Sequence, residues 1–374
     1  MASVNADRYP VAPQQEKQES KLASGIPVIR PIQYLRGIAA LMVVWHHGLI
    51  QIAGVQAQFP AWATGFGTSG VDLFFVISGF IMAVTTHGRD VTPVGFIRRR
   101  IVRVVPLYWL LTLLMVAVAL VAPSLFKTLI VAPGTLLLSL FFIPHFSASF
   151  PGIAWPLLVP GWTLNYEMFF YAVFAVCLAL PAVVRAKALV GTMLLLVLAG
   201  YVFGPFASAA GMTYTNPLLL EFAAGVVVGR LFCAGQMRLP FSASVAAVIL
   251  GLVLLITRDS ALLHFYGQFI GAVLVVAGSL HPRFSEYVNR PLQALGDASY
   301  SIYLTHIFTL GVLRMVWSKV FTGETTLACA IAFMIVALIV ASVVGCLCFR
   351  WVETPLLNRL TRLKRAKKTA LASA

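Results

Sequence analysis

Residues 32–48 read IQYLRGIAALMVVWHHG. One arginine, Arg36, opens a run of apolar and small residues that closes on Trp45, His46 and His47. The run does not alternate as a strand would, and its length suits a helix crossing a hydrocarbon core of about 30 Å. Taken as 37–55, it is the first of eleven apolar segments. The others fall near 70–86, 104–122, 129–144, 163–184, 188–205, 215–232, 242–257, 262–280, 298–316 and 327–349. The chain is 60% hydrophobic and 10% charged, where a soluble domain carries about 25% charged residues. These features define an all-α polytopic membrane protein. The alternation of a β-barrel, in segments of about ten residues, is missing.

The net charge of +15 sits in blocks between the apolar runs, as in cytoplasmic loops. No nucleic-acid motif accompanies it, so no nucleic-acid partner is expected. Cys177, Cys233, Cys329, Cys346 and Cys348 lie in apolar segments without metal-ligand spacing. They read as small buried hydrophobes, and no metal is expected.

Charge also orients the chain. The block at 89–103 holds Arg89, Arg98, Arg99, Arg100 and Arg103 against Asp90, and the end from Arg350 is basic apart from Glu353. Short basic loops stay in the cytoplasm, which places both there, together with the N-terminus beside Arg30 and Arg36. Two cytoplasmic termini require an even number of crossings. The weakest segment is 129–144, short and interrupted by Pro133, Gly134 and Pro144. The expected bundle therefore has about ten transmembrane helices plus one re-entrant or interfacial segment. Arg185 and Lys187, Arg230 and Arg238, and Arg283 and Arg290 then fall inside; Arg314 and Lys319 fall outside, as exceptions. Residues 1–31, polar with four prolines, read as a disordered cytoplasmic lead and not a signal peptide. Residues 32–358 form the transmembrane domain, and 359–374 a basic cytoplasmic tail.

Ionisable residues inside membrane segments are costly and mark function by default. Here they are His46, His47, Asp72, Glu167, Glu221, Asp297 and His306, with Arg36 and Glu353 near the inner edge. Eleven residues of helix advance about 16.5 Å and return to within about 20° of the starting direction. His47 therefore shares a face with Arg36, whereas His46 points about 80° away. Asp72, in GVDLFFVISGF, either caps its helix or holds an imidazole. Gly67, Gly70, Ser78 and Gly79 are small enough for close helix approach. The arginines of RRRIVRVVPLYW sit at an inner mouth, where guanidinium forks suit phosphate and a cytoplasmic nucleotide-bearing cofactor would arrive. Glu167 follows Trp162 in GWTLNYEMFFY, and Tyr300, Tyr303 and His306 follow one another in YSIYLTH.

Together these blocks resemble the membrane-bound acyltransferase 3 family over residues 32–358. Its hallmark is a basic residue, ten residues, then histidine, which Arg36 and His47 match. GVDLFFVISGF, RRRIVRVVPLYW, WTLNYEMFFY, YSIYLTH and VETP are similar to its further blocks, in the same order. The resemblance is nearest to the exopolysaccharide-modifying, ExoZ-like subgroup. It implies transfer of acetyl, or in some relatives succinyl, from an acyl-CoA to a sugar hydroxyl. The implied donor is acetyl-CoA and the implied acceptor a saccharide, free or lipid-linked, with membrane lipid and polysaccharide-synthesis machinery as further partners.

Such a reaction needs a base for the hydroxyl and stabilisation of an oxyanion. His47 is the expected base or acyl relay, with Glu167 or Asp72 orienting it. Arg36, Arg98, Arg100 and Arg103 are expected to bind the donor; Trp162, Tyr300 and His306 are assigned to substrate. Glu353, predicted at the inner edge, is expected to pair with arginines. A transporter or flippase of a lipid-linked sugar, or a non-catalytic assembly subunit, would use intramembrane acids and histidines otherwise.

Overall fold

The computed structural model describes residues 28–123, 128–257, 261–323 and 325–361, with backbone alone for 261–265. Most of the polar lead, most of the basic tail and Lys127 lie outside the described residues.

The described residues contain no strand. In chain order the helices are α1 (Arg30–Leu49), α2 (Ala61–Phe66), α3 (Gly70–Thr86), α4 (Pro93–Val121), α5 (Pro133–Leu140), α6 (Gly161–Leu178), α7 (Ala182–Phe203) and α8 (Ala209–Tyr214). They continue as α9 (Leu219–Cys233), α10 (Phe241–Ile256), α11 (Ala261–Ser279), α12 (Pro282–Glu286), α13 (Arg290–Asp297), α14 (Ser299–Val320) and α15 (Leu327–Cys348). Local chemistry sets several starts. Pro31 and Pro93 stand in the first turns of α1 and α4, where a missing N–H costs nothing. The Thr92 and Thr326 side chains accept from Gly95 and Cys329 backbone N–H groups, capping α4 and α15.

Five helical stretches are long and apolar enough to cross a membrane: Ala61–Thr86, Pro93–Val121, Ala182–Phe203, Ala209–Cys233 and Leu327–Thr361. That is half of the number expected from sequence. Two features keep other helices out of that set. Helices α1, α6 and α14 carry the polar and charged residues of the interior, such as Arg36, His47, Glu167 and His306, which lower their hydropathy. Helix α10 (Phe241–Ile256) is apolar but has only 16 residues. The segment read as re-entrant forms α5, whose eight residues rise only about 12 Å and cannot cross the core.

The outer surface is apolar. On α15 Ile331, Ile335, Ile339 and Val343 are exposed at intervals of four, and α7 exposes Leu194, Leu195, Leu198 and Val202. Such stripes face lipid, since water would not tolerate so continuous an apolar surface.

Inside, α1 packs against α3, α13, α14 and α15, so the helix with the deciding stretch is central. Helices α3 and α9 meet backbone to backbone. A Cβ at Gly79 would lie 2.1 Å from the Phe222 carbonyl oxygen, and one at Gly225 would lie 2.0 Å from that of Val76. The glycines of the Gly67–Gly79 stretch serve the close approach expected of them: Gly67 and Gly70 press against α1 at Met42 and Ala39.

Candidate active site

The site has two tiers along α1. The first surrounds Arg36. Its guanidinium donates to Gln33 Oε1 at 3.0 Å and lies in the field of Arg103, Glu353, Asp297 and Glu167. Gln33 Nε2 in turn donates to Asp297 at 2.5 Å, tying α1 to α13. Arg103 pairs with Glu353, which also accepts from Ser301 Oγ at 2.5 Å. Glu353 is 1% exposed. It ends a π-turn over Phe349–Glu353 that extends α15, and a single extra residue in such a turn re-aims the side chains that follow. The pairing foreseen for Glu353 thus has its partner in Arg103.

The four loop arginines divide by face. Arg98 and Arg99 are exposed, while Arg100 and Arg103 turn inward. The Arg100 guanidinium lies over Phe96 and Tyr171, at 5.5 and 5.7 Å from the ring centroids. Its Nε is buried with no hydrogen-bond partner. A buried cationic donor left unsatisfied is expensive, and an incoming anion would satisfy it.

The second tier surrounds His47. His47 Nδ1 lies 2.9 Å from the Val43 carbonyl oxygen. A carbonyl oxygen only accepts, so Nδ1 carries the proton and Nε2 presents its lone pair. The ring stands 4.8 Å from that of His306 and 5.1 Å, edge-on, from that of His46. His306 is fully buried. Its Nδ1 lies 2.5 Å from the Tyr303 carbonyl oxygen, and its Nε2 has no partner. The Tyr303 hydroxyl shares a hydrogen bond with Thr163 and donates to the Pro160 carbonyl, which ties α14 to the start of α6.

The acids expected to orient His47 do not reach it. Glu167 accepts from Ser78 Oγ at 3.1 Å and from the Tyr171 hydroxyl. Asp72 faces the buried Glu221 across the glycine-mediated α3–α9 contact. The Val43 carbonyl, one turn back on α1, sets the imidazole instead. Of the residues assigned to substrate, Tyr300 is engaged as a tie: its hydroxyl donates to the Val104 carbonyl at 2.7 Å, beneath Arg103. Trp162 is half-buried and meets Tyr166 edge-on. His306 lies behind His47 and has no exposed surface for a substrate to touch.

Sequence reading missed three partners. Tyr171 is four residues from Glu167, a spacing that alone signals helix neighbours. Gln33 is three residues from Arg36, a spacing of the same kind, whereas Glu221 opposite Asp72 had no local signal.

A lipid-faced helical bundle with inward arginines on one tier and a histidine pair on the next has the layout of a membrane-embedded transferase. The chain belongs to the acyltransferase 3 family, whose acyltransferase domain matches residues 30–348. It is thus an enzyme that moves acyl groups other than aminoacyl groups. It is 43% identical over 299 residues to the exopolysaccharide production protein ExoZ of Rhizobium meliloti (strain 1021), covering 78% of this chain and 90% of that one. It is 32% identical over 304 residues to BcsY of Komagataeibacter xylinus, covering 74% and 72%. No solved structure matches it.

Proposed function

We propose that the enzyme transfers acetyl from cytoplasmic acetyl-CoA to a hydroxyl of an exopolysaccharide sugar unit, with His47 as base or acyl relay. The observation that carries this reading is the placement of Arg36 and His47 eleven residues apart on the central helix α1. That spacing spans about 16.5 Å, enough to join an arginine-lined entrance to a histidine deeper in the bundle. The saccharide acceptor is supported by the likeness to a protein named for exopolysaccharide production.

Arg100, with its unsatisfied Nε, and Arg36 meet the phosphates or pantetheine carbonyls of the donor. Arg103 serves the donor less directly, because Glu353 holds it. His47 Nε2 takes the proton of the attacking hydroxyl, or takes the acetyl group first and passes it on. Trp162 lines the acceptor side. The bundle completes about ten crossings of the bacterial inner membrane, with both termini in the cytoplasm. A lipid-linked saccharide, brought by polysaccharide-synthesis machinery, is the natural acceptor for a site at this depth.

Mass analysis of exopolysaccharide from cells with wild-type enzyme, no enzyme and His47→Ala tests the reading. An acetyl increment present only with the wild type is expected. A succinyl increment would change the donor. An increment that survives His47→Ala would remove His47 from the chemistry.

A further inference from the structure

We propose that His306 Nε2 is the proton-holding partner of His47. This rests on the acyl-transfer reading above.

Both imidazoles direct Nδ1 at a backbone carbonyl, Val43 for His47 and Tyr303 for His306. A carbonyl supplies no proton, so in each neutral ring Nδ1 bears the hydrogen and Nε2 the lone pair. One lone pair belongs to the half-buried ring that can meet a hydroxyl. The other belongs to a ring with no exposure, and this Nε2 has no hydrogen-bond partner. A buried acceptor left without a donor carries a cost, and one N–H donated by a protonated His47 would remove it.

When His47 takes a proton it becomes an imidazolium inside the bundle, which needs an acceptor nearby. In serine hydrolases a carboxylate fills that need. Here the interior carboxylates among the described residues are engaged elsewhere. Glu167 is held by Ser78 and Tyr171, Asp297 by Gln33, and Glu353 by Arg103 and Ser301. Asp72 and Glu221 face each other. The acceptor that lies against His47 is His306, with ring centroids 4.8 Å apart. That separation leaves the Nε2 atoms to close on one proton as the site tightens around substrate.

The proton is conserved throughout. The hydroxyl gives it to His47 Nε2 as its oxygen bonds to the acetyl carbon. The pair His47–His306 holds it while the carbon–sulfur bond breaks, and it then passes to the departing thiolate. The products are an ester and free CoA thiol. His306 acts only through His47 and is a positioning residue. The titratable groups acting on it are His47 and His46 of α1 and, on its own helix, Tyr303.

The test uses full-length enzyme in proteoliposomes, radiolabelled acetyl-CoA, and exopolysaccharide stripped of esters by mild alkali. His306→Asn keeps an amide N–H for the Tyr303 carbonyl and removes the Nε2 lone pair. His306→Gln returns an acceptor near that position, though not a base. The Asn variant is expected to lose about 100-fold in kcat while its KM for acetyl-CoA stays within about twofold, and the Gln variant to regain about tenfold. The acid limb of log kcat against pH should move by about one unit in both, because a coupled pair titrates unlike a lone ring. Wild-type kcat in the Asn variant would overturn the proposal. So would a lost rate with an unmoved pH limb and no regain in the Gln variant, which would mark His306 as packing only. If instead His47→Ala transfers acetyl as well as the wild type, it is the acyl-transfer reading that fails.

Discussion

At the scale of single residues, the enzyme separates its charges by partner. Arg103 is held by Glu353, Arg98 is open to solvent, and Arg100 is half-buried with an unsatisfied Nε between Phe96 and Tyr171. The donor phosphates should therefore register at Arg100. Arg100→Ala is expected to raise KM for acetyl-CoA about tenfold or more, the loss of one charge-assisted contact, while Arg98→Ala changes it by less than about twofold. Steady-state rates at varied acetyl-CoA decide this, and equal effects at both positions would contradict the face assignment. Glu353→Gln has a different consequence. It leaves Arg103, whose side chain is 32% exposed, without its counter-charge. Stability should fall by about 2 kcal/mol, less than for a fully buried pair because water screens the arginine. A lower Tm in detergent, with KM for the donor nearly intact, is the expected signature.

At the scale of elements, α3 and α9 pack backbone to backbone, and glycine makes that contact possible. Gly225→Ala would put a methyl carbon 2.0 Å from the Val76 carbonyl oxygen and 2.9 Å from Phe80 N. Both are backbone atoms, so no side chain can swing aside. The helices must part, at a cost above the usual 1–3 kcal/mol of overpacking, or about 5 °C in Tm. Gly134→Ala on α5 meets nothing within 4 Å and should change Tm by less than about 2 °C. The same contact brings Asp72 opposite Glu221, so its loss should also disturb that pair. Small residues at 67–79 announced close packing in the sequence. Which helix they would meet was not legible, because a glycine face carries no mark of its partner.

At the scale of the whole molecule, the helices that host the candidate site are the ones that look least like membrane spans. Helices α1, α6 and α14 fall outside the set of long apolar stretches, because the interior they build is polar while lipid touches only their outer faces. Hydropathy alone therefore does not single out the helices that carry a polar interior. Basic residues supply the orientation that hydropathy does not. A fluorescent protein fused after residue 374 is expected to fluoresce and an alkaline phosphatase fused there to stay inactive, since the loop at 89–103 and the basic end lie on one side. The opposite pattern would invert the bundle and with it the side proposed for donor entry.

Sequence by itself determined the class of fold and the line from Arg36 to His47, because both are periodic properties of one helix and need no tertiary partner. It also ranked His47 above His46, from the turn angle alone. Only the tertiary structure decided which group each acid serves. Ser78 and Glu167 are 89 residues apart, Ser301 and Glu353 are 52 apart, and Gln33 and Asp297 are 264 apart. Contacts at such separations leave no local pattern, so carboxylates expected beside His47 could be placed elsewhere only once the helices were packed. The same packing set His306 behind His47 with an empty lone pair, and no spacing along the chain could have indicated that.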